Sequence, residues 1–290
     1  MIKMITVLAL SSLAIGLSGT PGCRGKINNG SPVMEDQKSG DLKVLAEGFH
    51  YANTNPFVAV VRDKETYDAL RQHDASLPKV DAEFFKSNIV IAAFLGERNT
   101  GGYSVEISRE AAGQIRVAEK APGKGMMVPQ VITSPFKVVS MPTTGTPAVS
   151  LSLGEAFQQR GQLYRISSGT FTVSGGFAGR TETFQLAGKL QITRIANLVT
   201  VGFAIVSRGT TRERMLRDIA TGLVTENAIS ISRLSHGSLL DTPSGDLHVK
   251  GTFIEKNRVN LDFDSGPVTV PDGYSGKGSI EAEMVTGSAN

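Results

Sequence analysis

One stretch, residues 89–107, constrains the fold of this 290-residue chain more than any other. Residues 89–95 are all apolar and begin with three β-branched side chains, which predicts a strand buried on both faces. After a polar turn that ends in Gly101 and Gly102, apolar and polar residues alternate from Tyr103 onward. This alternation predicts a strand with one face in water. Because glycines adopt positive φ without a steric penalty, the two strands are predicted to form a hairpin.

Composition places the chain among ordinary globular proteins. Apolar residues make up 40% of the sequence and charged residues 20%, which is too apolar for a disordered chain. The formal net charge of +3 is nearly balanced, and basic residues are rarely interleaved with aromatic ones. We therefore expect no nucleic-acid partner. A single cysteine excludes an intramolecular disulfide and a cysteine-based zinc site.

The first 22 residues have the features of a secretory signal peptide. Lys3 supplies a positive charge, residues 5–17 are apolar, and a helix-breaking stretch of small residues follows. Cys23 comes next and resembles the cysteine of the bacterial lipobox, which receives a diacylglycerol. Because an unpaired thiol is a liability in an oxidising compartment, acylation is favoured. We expect export to the cell envelope and attachment to a membrane through Cys23. Cleavage without lipidation, which gives a soluble periplasmic or extracellular protein, is the alternative.

A tether is predicted at residues 23–55, because their Gly, Asn, Ser and Lys content leaves little apolar surface to bury. Within this range, residues 42–49 can form a short edge strand or a docking segment. The folded part is expected to begin near Phe57 with a strand. A helix follows, and the Asp63 carboxylate caps it by accepting from the first-turn amides. Residues 56–142 are predicted to be an α+β domain, with one helix against an antiparallel sheet.

Several motifs of this first domain occur together in a pattern known from a protein family. They are residues 58–63 (Val-Ala-Val-Val-Arg-Asp), the helix with Tyr67, residues 94–98 (Phe-Leu-Gly-Glu-Arg), residues 100–107 (Thr-Gly-Gly-Tyr-Ser-Val-Glu-Ile) and residues 133–136 (Thr-Ser-Pro-Phe). Together they resemble the PrcB C-terminal domain family over residues 57–142. The family is named after a lipoprotein subunit of a bacterial surface protease complex. The resemblance implies a small secreted or lipid-anchored module, and it implies no reaction.

The chain changes character after a linker predicted at residues 143–160. Short alternating or apolar runs recur through residues 161–286 with glycines between them, which is typical of an antiparallel barrel or sandwich. A helix is expected at residues 211–220. Its buried side would hold Met215, Leu216 and Ile219. The fold class is thus an α+β module followed by a mainly antiparallel all-β domain.

No set of catalytic residues stands out, so we expect no enzyme activity, no bound metal and no cofactor. The sequence has neither Gly-x-Ser-x-Gly nor His-Glu-x-x-His. Two Ser-x-x-Lys tetrapeptides, at Ser76 and Ser134, contain a proline and cannot be helix interiors. His236 and His248 could meet across strands, although ordinary surface histidines are the expectation. The Asp-Phe-Asp-Ser-Gly stretch at 262–266 resembles a calcium loop but lacks its other ligands.

The turn after the buried strand offers the best candidates for a binding surface. They are Thr100, Gly101, Gly102, Tyr103 and Glu106. A tyrosine beside a turn can cover the core with its ring and keep its hydroxyl in water. The alternative is a packing tyrosine and a solvated glutamate.

Taken together, these features predict a non-catalytic envelope protein that acts by protein–protein contact. Its partner would be a protein of the envelope, and one case is an accessory subunit of an envelope or protease complex. The alternative is a protein that binds a lipid or a small apolar ligand in its C-terminal β-domain.

Overall fold

The structure, a computed structural model, describes residues 42–285 except 51–53, 112, 144–146, 159–160, 176–179, 210–212, 236–245, 256 and 266–274. The signal peptide, Cys23 and His236 lie outside these residues. Strands dominate the part before the barrel. In chain order they are β1 (Lys43–Gly48), β2 (Phe57–Val61), β3 (Asn88–Phe94), β4 (Ser104–Arg109), β5 (Ile115–Lys120), β6 (Phe136–Pro142) and β7 (Leu151–Leu153). The helices are α1 (Lys64–His73), α2 (Phe84–Ser87) and α3 (Glu155–Gln158).

The apolar run at 89–94 forms β3, an inner strand of a sheet with the order β1-β6-β3-β2. Its side chains alternate between two cores, and both faces are buried as predicted. Val90, Ala92 and Phe94 pack on the side of α1, whereas Ile89 and Ile91 pack on the opposite side against the second sheet. Strand β1 lies at the edge of the first sheet and pairs with β6, one of the two roles predicted for this segment.

The predicted hairpin between the two halves of the central stretch is wrong. β3 pairs with β2 on one side and with β6 on the other. β4 instead pairs with β5 in a second sheet of order β4-β5-β7. Both neighbouring positions of β3 are therefore occupied, and the chain passes from one layer to the next. β7 and α3 fall in the range predicted as a linker, where β7 extends the second sheet in parallel to β5.

Helix α1 begins as the sequence predicts. Asp63 is its N-cap, and its Oδ1 accepts from the amide of Thr66 at 2.8 Å. Tyr67 and Leu70 lie on the buried face. Burial raises the pKa of the Tyr67 phenol above its usual value, and the neutral hydroxyl donates to the carbonyl of Pro78 at 3.1 Å. No helix among the described residues is long and apolar enough to span a membrane.

The C-terminal strands close into an antiparallel eight-stranded barrel, one of the two architectures predicted. In chain order the strands are β8 (Gln162–Gly175), β9 (Arg180–Ile195), β10 (Leu198–Arg208), β11 (Glu213–Thr225), β12 (Ala228–Ser235), β13 (Asp246–Ile254), β14 (Arg258–Asp264) and β15 (Ser275–Met284). Each strand pairs with the next, and β15 pairs with β8 to close the barrel. One apolar cluster fills the interior, where the rings of Phe203 and Phe263 meet at 6.3 Å. Tyr164 and Phe171 belong to the same cluster and are 1% exposed.

The predicted helix at 211–220 is also wrong, because residues 213–220 are the first part of β11, and residues 211–212 lie outside the described residues. Leu216, Asp218 and Ala220 are buried, whereas Met215 and Arg217 are exposed. This is the period-2 pattern of a strand. The pattern is not evident from the sequence, because the charged Asp218 occupies one of the buried positions. The long ladder to β10 decides the conformation.

The α+β part and the barrel belong to one compact unit. They meet where the outer edge of β2 lies on β10 and β11. The amide of Val60 donates to Thr221 Oγ1 at 2.9 Å, and Thr200 Oγ1 donates to the carbonyl of Val58 at 3.1 Å. The two threonine hydroxyls are 2.7 Å apart. Barrel side chains thus satisfy a sheet edge that would otherwise be open to another strand.

A buried arginine from the α+β part enters the barrel wall beside this edge. Arg62 follows β2 directly, and its guanidinium meets the Asp218 carboxylate at 2.7 Å. Both side chains are at most 1% exposed. The same guanidinium donates to the carbonyl of Ile219 at 2.9 Å and to that of Pro147 at 3.4 Å. One side chain therefore connects β2, β11 and the segment that precedes β7.

The carboxylate of Asp218 also accepts several hydrogen bonds. It accepts from the amides of Val149 at 2.8 Å, Ile219 at 2.8 Å and Ser235 at 3.1 Å. The ladder between β11 and β12 covers residues 223–225 and 228–230. Farther along these strands, Asp218 connects them through Ser235.

We predict that Arg62 and Asp218 act as one energetic unit. Arg62→Met and Asp218→Ala should each lower the free energy of unfolding by about 3–5 kcal/mol, because each leaves an uncompensated buried partner. The double variant should lose less than the sum by at least about 1 kcal/mol. Urea unfolding of the full chain measures all three losses.

Lys64→Met is the matched control, because Lys64 pairs with Asp68 on an exposed helix face. Its cost should stay below about 1 kcal/mol. Additive losses in the double variant would contradict the coupling.

Candidate functional site

Two loops of the α+β part pack against each other and form the candidate site. One loop, residues 95–103, follows β3, and the other, residues 121–135, joins β5 to β6. Arg98 and Thr133 exchange backbone hydrogen bonds of 2.7 and 2.9 Å, and the amide of Gly101 donates to the carbonyl of Pro129 at 2.8 Å. We call these two segments the loop pair.

The two adjacent glycines allow the loops of the pair to approach each other. Gly102 has a φ of +85°, and a Cβ atom there would lie 2.8 Å from Val128 Cγ1 and 3.0 Å from Pro122 Cβ. A Cβ on Gly101 would lie 3.1 Å from Pro129 Cδ. The glycines therefore serve close packing between two loops, rather than the hairpin that the sequence predicts.

Arg98 connects the loop pair to β5. Its guanidinium binds the Glu119 carboxylate through two hydrogen bonds, of 2.9 and 3.3 Å. It also donates to the carbonyl of Leu95 at 3.0 Å and lies 5.8 Å from the centre of the Tyr103 ring. This bidentate and cation–π arrangement gives the loops a defined base.

The loop pair carries apolar side chains that point into water. Met127 is fully exposed, and Met126 and Ile132 are each 66% exposed. Val131 is 52% exposed, and Phe49, at 53%, is exposed to a similar degree. The carbonyl of Phe49 accepts from the amide of Ser134 at 2.7 Å, which connects this residue to the second loop. We call Phe49, Met126, Met127, Val131 and Ile132 the exposed apolar group.

Most of the residues predicted as a binding surface lie at the base of the loop pair. Gly101 is buried, and the carbonyl of Thr100 accepts from the Thr133 hydroxyl at 3.0 Å. Tyr103 is partly buried beside Arg98. Glu106 does not join them, because it is exposed on β4 and its side chain makes no hydrogen bond or ion pair with another described residue.

The exposed apolar group was not predicted from the sequence. Its loop residues precede β6, which begins only at Phe136. The available signal was the uncharged run of residues 126–132, in which Pro129 interrupts apolar side chains. A prolonged apolar run with an internal proline indicates a loop rather than an inner strand.

Ser134 is buried within the second loop of the pair, and the other described candidates for chemistry lie apart from the loop pair. Ser76 is in a turn, where its amide donates to Asp74 Oδ1 at 2.8 Å. His248 is exposed on β13, opposite Asp264 on β14. Asp264 approaches Lys277 at 3.5 Å on the solvated face of the barrel. Within the described residues, no group of three or more His, Cys, Asp or Glu side chains is placed to hold a metal ion.

Comparison with known proteins identifies one related region. Residues 89–142 match the family model described as PrcB C-terminal. The matched range runs from the second residue of β3 to the end of β6 and includes the whole loop pair, and the barrel lies outside it. The resemblance noted in the sequence is confirmed over these residues. Neither a curated protein nor a solved structure matches the chain.

We predict that Gly102→Ala loosens the loop pair. It should lower the free energy of unfolding by about 1–2 kcal/mol more than Gly113→Ala, because only Gly102 has neighbours in the way of a Cβ. Gly113 is the matched control, since its φ is +79° and nothing lies within 4 Å of its Cβ position. Urea unfolding compares the two variants, and equal losses would contradict the packing role.

Proposed function

We propose that this protein is a non-catalytic component of the bacterial envelope, which binds a protein partner through the loop pair. In this proposal it is exported, carries a diacylglycerol on Cys23 and serves as an accessory subunit of an envelope or protease complex. The match to the PrcB C-terminal family supports this class of role, because the matched residues include the whole loop pair.

The observation that carries the proposal is the exposed apolar group. Large apolar side chains clustered on one surface feature are unusual on a monomer and are typical of contact surfaces. Methionines such as Met126 and Met127 adapt to irregular partner surfaces. Full burial of one such side chain stabilises a complex by about 1.5–3 kcal/mol, so the five together can offset much of the free energy that association costs.

The base of the loop pair would limit the entropic cost of binding. The bidentate contact of Arg98 with Glu119 and the backbone contacts of Thr133 hold the loops in one arrangement before a partner arrives. A surface that is already ordered loses less conformational freedom on association. The predicted residues Thr100 to Tyr103 would then support the contact surface rather than form its centre.

Membrane attachment would help the same function. A diacylglycerol on Cys23 supplies two acyl chains, enough for stable anchoring. Confinement to a membrane raises the effective concentration toward a partner in the same envelope.

An apolar ligand inside the barrel has weaker support. Buried side chains such as Tyr164, Phe171, Phe203 and Phe263 belong to one packed cluster. An eight-stranded barrel leaves an interior that side chains can just fill.

We predict that a Met127→Ser, Ile132→Ser double variant weakens partner binding. The full chain would be purified from detergent-solubilised envelopes of its own host, with and without the substitutions. Loss of two exposed apolar contacts should lower recovery of a stoichiometric protein partner about tenfold or more. Quantitative mass spectrometry of the purified complexes measures this recovery.

Met215→Ser is the matched control, because Met215 is 53% exposed on the barrel and outside the loop pair. It should leave partner recovery unchanged. Equal recovery with all variants would overturn the role of the loop pair. A bound lipid in native mass spectra, without a protein partner, would favour the barrel-ligand alternative.

We predict that the chain is labelled by palmitate in its host and that Cys23→Ser abolishes the label. Globomycin, which blocks the lipoprotein signal peptidase, should cause the unprocessed precursor to accumulate. A wild-type chain that is exported without label would support the soluble alternative.

A further inference from the structure

A cleft outside the barrel is a second site, distinct from the loop pair. It lies between the outer face of β9 to β11 and the segment that contains β7, and its volume is about 360 Å³. This volume is at the lower end of small-molecule pockets.

Small residues form the floor of the cleft. Gly202 and Ala204 are two positions apart on β10, so both point outward between longer side chains of the neighbouring strands. Ala204 is opposite Lys189 on β9 and opposite Arg217 on β11. The result is a trough with a methyl group at its base and a cation on each side.

The cations beside the trough have no acidic partner among the described residues. The Lys189 side chain is exposed and makes no hydrogen bond or ion pair with another described residue. Arg217 donates from Nε to the sulfur of Met215 at 3.2 Å, and a thioether is a weak acceptor. Arg165 of β8 is directly opposite Lys189, and Glu283 of β15 is opposite Arg165 on its far side. An anion between Lys189 and Arg217 would give these two side chains a charged partner.

One acidic residue, Asp218, is among the described residues that line the cleft. Its carboxylate is fully buried, pairs with Arg62 and accepts from three backbone amides. It therefore contributes little negative charge to the cleft opening.

The opposite wall of the cleft is apolar, because Leu151 and Leu153 of β7 are partly exposed there. Leu163, on the outer face of β8 opposite Gln191, is 39% exposed and adds an apolar side chain on the barrel side. Gln114 and Ser150, joined by a 3.0 Å hydrogen bond, close one end. A cationic side and an apolar side thus face each other across one narrow space.

We propose that this cleft binds a small amphiphilic anion, a carboxylate or phosphate monoester attached to an apolar chain. The anionic group sits above Ala204, between Lys189 and Arg217, and the apolar chain packs on Leu151, Leu153 and Leu163. Strand spacing places the Cα atoms of the two cationic residues about 10 Å apart, so both long side chains reach an anion between them. Charge-assisted hydrogen bonds supply the specificity.

Titration calorimetry of the full chain with octyl phosphate, octanol and inorganic phosphate tests the proposal. Octyl phosphate should bind with a dissociation constant at least about tenfold lower than either octanol or inorganic phosphate, because only octyl phosphate offers both a charge and an apolar chain. Equal binding of octanol, or no binding of octyl phosphate, would overturn the proposal.

Variants then locate the site. Lys189→Gln and Arg217→Gln should each raise the dissociation constant of octyl phosphate about tenfold. Ala204→Phe should abolish binding, because it fills the trough and keeps both cations. Lys250→Gln, an exposed lysine on β13, is the matched control and should change nothing. Circular dichroism confirms that each variant folds, and unchanged affinity in the three cleft variants would refute the assignment.

Two further measurements distinguish the cleft from a membrane-binding surface and from the loop pair. Vesicles of phosphatidylglycerol should not displace octyl phosphate, since the cleft takes a free molecule, and displacement would overturn that assignment. The Met127→Ser, Ile132→Ser variant should bind octyl phosphate as the wild type does. The cleft therefore stands or fails independently of the function proposed for the loop pair.

Discussion

The buried ion pair of Arg62 and Asp218 is the interaction on which the arrangement of the chain depends. A charge away from water is costly unless it is paired and hydrogen-bonded, and here both groups have several partners. Arg62 lies between the end of β2 and the N-cap of α1. Asp218 lies where β11 and β12 separate. The pair therefore determines where the α+β part meets the barrel.

Neighbouring polar contacts extend this junction. Ser232 of β12 donates to Asp63 Oδ2 at 2.5 Å, so the N-cap of α1 is also bonded to the barrel. Arg233 donates to the carbonyl of Arg62 at 3.2 Å and pairs with Asp246 at 2.7 Å. Through Pro147 and Val149, the ion pair also holds the segment that forms the apolar wall of the cleft. The proposed anion site thus exists because the two parts of the chain are held together.

The loop pair differs from this junction, because its apolar side chains are exposed rather than buried. It presents apolar side chains to water on a base made of glycine packing and the Arg98–Glu119 contact. The sequence drew attention to Gly101, Gly102 and Tyr103, because a glycine pair beside a tyrosine is a local signal, but it predicted a hairpin and a contact surface for them rather than this packing role. It did not indicate the exposed apolar group, since exposure depends on where β6 begins and on which strands occupy the sheet. The cleft could not be predicted from the sequence either, because Lys189 and Arg217 are far apart in the chain and come together only through the register of their strands.

The sequence by itself determined the local features: the buried strand at 89–94, the Asp63 cap, the strand-rich C-terminal part and the likeness to the PrcB C-terminal family. These depend on side-chain periodicity, capping chemistry and motifs within a few residues of one another. Only the tertiary structure decided which strands pair, that residues 213–225 form a strand, and that the barrel closes and joins the α+β part. Those outcomes depend on contacts between distant residues, and a charge such as Asp218 takes a buried position only because Arg62 arrives from elsewhere in the chain.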